Sequence, residues 1–431
     1  MRVRSDRFHF SINSINKKDT NMSATLEPPQ TIEPTLPHVE EANGAESPLK
    51  RLSAEQLEHL GREFDAIHDD IFAELGERDA RYIRNTIRLH RQLVLASRLL
   101  LLGSRRRELW VLGTAALSLA KILENMEIGH NVMHGQWDWM NDPDINSQNW
   151  DWDTASPADA WRHSHNYEHH TFTNIRGKDR DLGYEIMRID PHQKWHPIYV
   201  FQPLYNLILM GFFEWGVALH DMNFDAIRSG EKSKRQAGEE LKAIGLKARR
   251  QIVKDYIAFP ALSAAVNAAV AGARGGRRGE ASRSARATFK STLTANFTSN
   301  IVRNVWAHSI IFCGHFPDQT YTFSEEEVAE ESRGGWYVRQ LLGAANIDGG
   351  SLFHFLSGNL SFQVEHHLFP DMPSSRYTEA APRVREVCAR YGLPYNTGPL
   401  RKQLGTVHRT ILRLAFPGGA PRPKPGPHSA G

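Results

Sequence analysis

The chain contains 21 histidines, and their grouping points to chemistry. In GHNVMHGQWDWM, His130 and His134 are four residues apart, so on a helix both rings leave one face and can share a metal ion. That pair alone is weak, because two surface histidines can have the same spacing. Further along, WRHSHNYEHHTFTN carries His165, His169 and His170 in an HxxxHH pattern, with His163 just upstream. His165 and His169 share a helical face, and His170 lies about 100° round the helix, which suits it to bridge toward a second metal. A solvated polar loop is the competing reading. The third group is GNLSFQVEHHLFPDMP, where His366 and His367 are adjacent and Gln363 precedes them.

Imidazole-rich sets suit iron, copper, nickel or zinc. A single zinc site takes three or four protein ligands, whereas two irons would use the histidines of all three groups and leave positions for dioxygen. A fourth candidate, RNVWAHSIIFCGHF, holds Asn304 and His308 on one helical face, with His315 further on. His308 is the stronger ligand candidate, since His315, close to Pro317, reads equally well as a hydrogen-bonded turn residue. His192, His196, His220 and His354 stand alone and are expected to make structural hydrogen bonds. Cys313 and Cys388 are too few and too far apart for a disulfide framework or a thiolate site.

Ligating imidazoles are neutral, and each needs a partner on its other ring nitrogen to fix the tautomer. Glu127, Glu168, Glu365, Asp179 and Asp181 are near enough in sequence, although each reads equally as a solvated acid. Trp137, Trp139, Trp150, Trp152 and Trp161 crowd the region between the first two groups, where they can line an acyl tunnel, anchor an interface or pack a core. Arg162, Lys178, Arg180 and Arg188 are candidates for phosphate binding, with solvated charge as the alternative. Trp152, Trp161, Arg162, Lys178 and Arg188 make up the candidate substrate-binding set.

The elements that must hold these groups are less plain. A chain of 431 residues admits one large or two ordinary domains. A formal charge of +3, from 52 basic and 49 acidic residues, argues against nucleic acid as the main partner. Residues 1–52 are polar and rich in Pro and Glu, with no long apolar signal core, and are expected to be disordered. The Pro- and Gly-rich tail, 416–431, is expected to be disordered too, leaving 53–415 as one domain.

The mean hydropathy of −0.48 is polar for a membrane protein, and no uninterrupted apolar run reaches the roughly 20 residues that span a bilayer. Apolar segments nevertheless occur at Leu93–Leu102, Leu109–Ala120, Ile198–Leu219, Tyr256–Ala271 and Ile301–Phe316. The third is the best spanning candidate, with Trp and Tyr near its ends. Two features fit a membrane poorly. Arg105, Arg106 and Arg107 would lie opposite the histidines, against the positive-inside tendency, and the Gly- and Arg-rich stretch 271–286 reads as a flexible insertion. Hydropathy alone leaves soluble and membrane-embedded helical proteins evenly balanced.

In order and spacing, HNVMH at 130–134, HNYEHH at 165–170 and QVEHH at 363–367, followed by HHLFP, resemble the three histidine boxes of the integral-membrane fatty acid desaturases. The opening Gln is similar to that of front-end and acyl-lipid desaturases, while the chain otherwise looks most like bacterial acyl-CoA desaturases. The resemblance covers roughly Leu93 to Pro399. It implies an all-α fold: a membrane-embedded bundle of about four transmembrane helices, with a cytosolic helical cap that carries a di-iron site on the cytoplasmic face. The implied ligands are His130, His134, His165, His169, His170, His308, His366 and His367. His163, Asn304, His315 and Gln363 are secondary candidates, and an NxxxH element similar to that of Asn304 and His308 occurs in stearoyl-CoA desaturases.

The implied activity is dioxygen-dependent desaturation of a fatty acyl chain carried on coenzyme A or a lipid. An unactivated C–H bond yields neither to acid–base groups nor to a Ser or Cys nucleophile, so a cofactor must carry the hard step; two irons would supply it. No HPGG motif of a fused haem domain occurs. Electrons from NAD(P)H would therefore arrive through a separate reductase, ferredoxin or haem carrier. An acyl or alkane hydroxylase on the same scaffold is the nearest rival, and a non-redox metal-binding protein a more distant one.

Overall fold

The computed structural model describes residues 48–275 and 278–418. Most of the two segments expected to be disordered thus lies outside the described residues. What is described departs from the expectation: Pro48–Arg51 forms a short helix, α1, and Leu49 and Leu52 pack against a buried core. Ser53 then starts α2 (Ala54–Ala73) with a reciprocal cap, in which Gln56 N donates to Ser53 Oγ and Ser53 N donates to Gln56 Oε1. The long helices α3 (Glu77–Leu102) and α4 (Arg107–Ile122) form a hairpin. Without a break, α4 runs into a π-helical stretch, Leu123–His130, and then α5 (Asn131–Met133). Likewise α6 (Ala158–Trp161) continues through a second π-helical stretch, Arg162–His169, into α7 (His170–Phe172).

The best spanning candidate of the sequence, 198–219, is not one helix. Pro197–Phe201 is a 3-10 turn, and α8 (Gln202–Gly211) is separated from α9 (Phe213–His220) by non-helical backbone at Phe212. Proline at the entry of each of the first two pieces divides the run. After α10 (Phe224–Ser229), the helix α11 (Lys234–Ile252), the π-helical residues Val253–Ala258 and α12 (Phe259–Ala273) join into one continuous 40-residue helix. By length and mean hydropathy it is the one described helix apolar enough to cross a membrane. The 38-residue α13 (Arg278–His315) returns along it. The described part of 271–286 is therefore mostly the ends of two helices instead of a flexible insertion: its Ala, Ser and Arg residues are compatible with helix, and Gly272 and Gly279 lie within α12 and α13.

The remaining elements are α14 (Arg333–Gly343), β1 (Asn346–Asp348), α15 (Ser351–Leu356), α16 (Gln363–Leu368), α17 (Tyr377–Arg390), β2 (Thr397–Pro399) and α18 (Leu400–Leu414). The fold is mostly helical, with one addition that the all-α expectation lacked. β1 and β2 pair in parallel, Ile347 opposite Gly398, and tie the C-terminal region to the segment before the third histidine group.

Two regions have opposite polarity. Around α2, α14, α16 and α17, a core containing Phe64, Tyr337, Phe369 and Tyr377 is apolar inside. In the bundle of α3, α4, α12 and α13 the pattern is inverted. Leu95, Leu99, Val111, Leu112, Leu262, Val270, Phe297 and Val302 face outward, whereas Thr114, Ser118, Asp255, Thr292, Asn296 and Ser299 are buried between the helices. Arg98 and Lys121 both pair with Asp255 inside it, at 3.3 and 2.7 Å. An apolar outside over a polar, hydrogen-bonded inside is what a surrounding of lipid favours.

One close approach holds the segment before the third histidine group against the first. Gly358, at φ 70°, crosses the first π-helical stretch so tightly that a Cβ would meet Met126 O at 2.5 Å. Its carbonyl also accepts from Asn131 Nδ2 at 3.1 Å. Gly358→Ala is expected to lower stability by about 2 kcal/mol or more, since it combines a steric clash with left-handed backbone. Thermal unfolding of the purified protein checks this.

Candidate metal centre

Each histidine group arrives on a different element, and the three converge. The first two lie on or beside the π-helical stretches, whose widened turns are a recurrent device at functional sites. His366 and His367 lie on α16, buried on every side. His130, His134, His165 and His366 place one ring nitrogen each within 4.8 Å of one another, as do His169, His315 and His367. The neighbours His366 and His367 are thus divided between two sets, and His165 and His169 each join a different one while also meeting Asp181 together in a third group. His170 stands between the sets, its ring centroid 4.7 Å from that of His134 and 4.6 Å from that of His367.

The hydrogen bonds of these rings have a direction. His169 Nδ1 contacts Asp179 at 3.0 Å, His165 Nδ1 contacts Asp181 at 3.2 Å, and His130 Nδ1 contacts Asn131 Oδ1 at 3.0 Å. His366 Nδ1 meets the Tyr377 hydroxyl at 3.1 Å, and His367 Nδ1 meets Gln340 Oε1 at 2.9 Å. The amide orientations follow from the second bonds: Asn131 Nδ2 donates to Glu127 O and Gly358 O, and Gln340 Nε2 donates to His170 O. Each partner oxygen therefore faces a ring N–H, which leaves Nε2 as a lone pair. Among the described residues, the buried Nε2 atoms of His134, His165, His169, His170, His366 and His367 have no hydrogen-bond partner. Buried polar atoms left bare at this density are costly unless a cation takes them. The clusters fit a metal site.

Electrostatics agree. Burial, reinforced by the neighbouring rings, holds His134, His170, His366 and His367 well below the usual imidazole range, and burial takes His130 down to about 3. These rings are neutral at physiological pH, the form in which an imidazole can take a metal. At His169 burial pulls the same way, but the Asp179 carboxylate outweighs it and raises the ring.

Several sequence expectations need correction. His308 is not with either set. Its Nε2 meets Asn206 Oδ1 at 3.1 Å and its ring stacks on Phe312, so it ties α13 to α8. His315, two helical turns on, is the residue of α13 that joins a set. Asn304 donates to Gly211 O and accepts from Arg303, which leaves it a wall residue. His163 is exposed beside Glu168. Gln363 lies 3.2 Å from His315 Nε2, and its Oε1 has no partner among the described residues.

Of the five acids, Asp179 and Asp181 face the rings. Glu168 pairs with Arg180. Glu127 accepts from Tyr82, Asn359 and Ser374, and burial still pushes it up to about 8. Glu365 accepts from Tyr395 and Asn346, which braces α16 against β1.

The proposed phosphate binders are spoken for. Arg162 donates to Ser147 O and Trp150 O, Lys178 pairs with Glu325, and buried Arg188 holds the carbonyls of Leu414, Phe416 and Gly418. Trp152 and Trp161 do line a cavity, of about 800 Å³ counting space open to solvent, which touches His130, His165 and His315. Trp161 stacks on His165. Of the isolated histidines, His192 and His354 make local hydrogen bonds to Asp190 and Ser361, and His196 accepts from Ile198 N. His220 instead reaches the cavity wall, 2.9 Å from Asp181. Tyr377, Gln340 and His220 carry no signal in the sequence, because each meets its partner through folding.

Comparison with known proteins gives the same direction. The family model described as fatty acid desaturase matches residues 108–399. An NADPH-dependent stearoyl-CoA 9-desaturase of Mycobacterium tuberculosis is 48% identical over 366 residues, covering 85% of this chain and 82% of that protein. Fatty acid desaturase 3 of Homo sapiens is 36% identical over 88 residues, 20% of each chain. No solved structure matches.

Proposed function

The chain belongs to the fatty acid desaturase family, and from that premise we propose that it is a membrane-embedded, di-iron acyl-CoA desaturase. It desaturates a fatty acyl chain. The name of the mycobacterial relative supports a long-chain acyl-CoA as substrate and NADPH as the source of electrons, which a separate carrier protein would deliver.

The observation that carries the metal reading is the set of bare, buried Nε2 atoms. One iron would be held by His130, His134, His165 and His366, the other by His169, His315 and His367, with His170 between them. His315 can join with Nδ1, which has no partner among the described residues. With the Gln363 amide oxygen turned to the ring, His315 Nε2–H donates and Nδ1 is left for the cation. Bound iron would supply the activation of dioxygen that no side chain can.

The balance is two hydrogens lost from adjacent methylenes, two electrons and two protons added, and one dioxygen reduced to two waters. The protein's own share is positional. Asp179, Asp181, Asn131, Tyr377 and Gln340 hold the rings in one tautomer, and Trp152 and Trp161 wall the cavity against water.

In the bilayer, α3, α4, α12 and α13 would be the four crossing helices, as their outward Leu, Val and Phe side chains support. The exposed Arg81, Arg84, Arg88 and Arg91, before the apolar half of α3, lie on the histidine side. They favour a cytoplasmic active site and offset Arg105–Arg107 at the far end.

The test is purification in detergent, iron analysis, and reaction of stearoyl-CoA with a reductase, NADPH and dioxygen. About two irons per chain and a product lighter by two hydrogens are expected. A product heavier by one oxygen would establish a hydroxylase, and a redox-silent single metal would refute both.

A further inference from the structure

The cavity beside the histidines has a built end. On α13 its wall is Asn304, Ala307, Ile311 and His315, spaced to lie on one helical face. At about 1.5 Å per residue, Ala307 is about 12 Å and Asn304 about 16 Å along the axis from His315. The helix α9 runs alongside in the same sense: His220 lies at the histidine end, beside Asp181, and at the other end Glu214 meets Arg303 while Gly211, the last residue of α8, meets Asn304. Between the ends Phe213, Val217, Ala307 and Ile311 give the lining apolar side chains, while Asp221, held by Ser156 and Ser164, lies with His220 at the histidine end.

The far end is closed by charge. Arg303 and Glu214 form an ion pair with side chains only 2% and 4% exposed. Arg303 also donates to Asn304 Oδ1 at 3.2 Å, and Gln251 Nε2 donates to Glu214 at 2.7 Å. A methylene chain offers neither partner anything, and to pass it would have to separate a buried pair whose members would then be uncompensated.

We infer that this branch receives the methyl end of the acyl chain, that the Arg303–Glu214 pair is its floor, and that Ala307 decides how long a chain fits. The inference rests on the acyl-desaturase reading of the cavity. An extended chain advances about 1.2 Å per bond, so the branch has room for on the order of ten carbons beyond the reacting pair. Ala307 is the smallest side chain on that wall, about three quarters of the way down, where added bulk takes away depth directly.

Two readouts test it on the full-length, iron-loaded protein. In turnover with saturated acyl-CoAs from dodecanoyl to eicosanoyl, Ala307→Phe is expected to move the preferred substrate about four carbons shorter, roughly the depth of one ring. It should lower kcat/KM for the longest chain at least about tenfold, as mismatched apolar groups do in fitted pockets. Without reductant, where nothing turns over, the rise in Tm that each acyl-CoA gives should show the same shift. Replacing both charges together, Arg303→Met with Glu214→Ala, is expected to raise kcat/KM for eicosanoyl-CoA.

Identical length profiles for wild type and Ala307→Phe in both readouts, at equal iron content, would overturn the inference. Should Ala307→Phe not accumulate, Ala307→Leu takes its place, and an unchanged profile there counts equally against it. A wild type that forms no unsaturated product, yet whose Tm profile still shifts with Ala307→Phe, would refute the desaturase reading and leave the chain-length floor standing.

Discussion

Alanine at His315 is expected to abolish desaturation and to remove at least about half of the bound iron, whereas alanine at His308 leaves iron content unchanged. Both residues are buried on α13, 4% and 0% exposed, so burial does not separate them. Their partners do. His315 lies with His169 and His367, its ring centroid 4.8 and 4.9 Å from theirs. His308 meets Asn206 and Phe312 and no other histidine of the sets. Loss of the Asn206 bond should cost only about 1 to 3 kcal/mol of stability, the penalty of a buried group left unpaired. Iron per chain and thermal unfolding of the two variants check the pair. Full iron in His315→Ala, or its loss in His308→Ala, would reverse the assignment.

A second large effect is expected away from the ligands. Asp179 is fully buried on its side chain and accepts from His169 Nδ1–H, Asn174 N and Asp181 N. Asp179→Asn keeps the shape but replaces one acceptor oxygen by a donor, so one of these N–H groups is opposed and the His169 ring is no longer held. Loss of an orienting partner of this kind costs about 10- to 100-fold in metal affinity or activity. Iron retention against a chelator and kcat in the reconstituted assay measure both. Glu127→Gln serves as the control. Glu127 accepts from Tyr82, Ser374 and Asn359, so an amide there also opposes a buried donor, but none of the three is a ring of the sets. Equal behaviour of the two variants would show that the effect at Asp179 is general destabilisation.

The family and the three histidine groups were legible because the motifs are local: four or five residues on one short element carry each pair. The same locality hid how the rings are shared out. His165 and His169 do share a face, their rings stacked with centroids 5.1 Å apart, yet His165 also meets His130, His134 and His366 while His169 meets His315 and His367. The choice of His308 over His315 failed for a different reason. An NxxxH spacing says that Asn304 and His308 share a face but not what that face meets, and it meets Asn206 and Gly211 of α8 and Phe213 of α9.

The inverted polarity of the bundle was hidden from hydropathy by averaging. Polar residues such as Asp255, Asn296 and Lys121 lower the mean of their segments, yet they point inward and satisfy one another. Only packing shows which side of each helix is apolar. Arg188 and Arg162 looked like free charges until their carbonyl partners, far along the chain or folded back on it, came into place.

Residue type and spacing thus determined the chemistry: imidazoles in number, grouped by pairs, with no thiolate to compete. Tertiary structure decided which ring belongs to which set, which nitrogen of each is left bare, and where the cavity beside them ends. The division has a physical cause. A ligand's identity belongs to one side chain, but a coordination site, a tautomer and a closed cavity are relations among groups that only folding brings within a few ångströms.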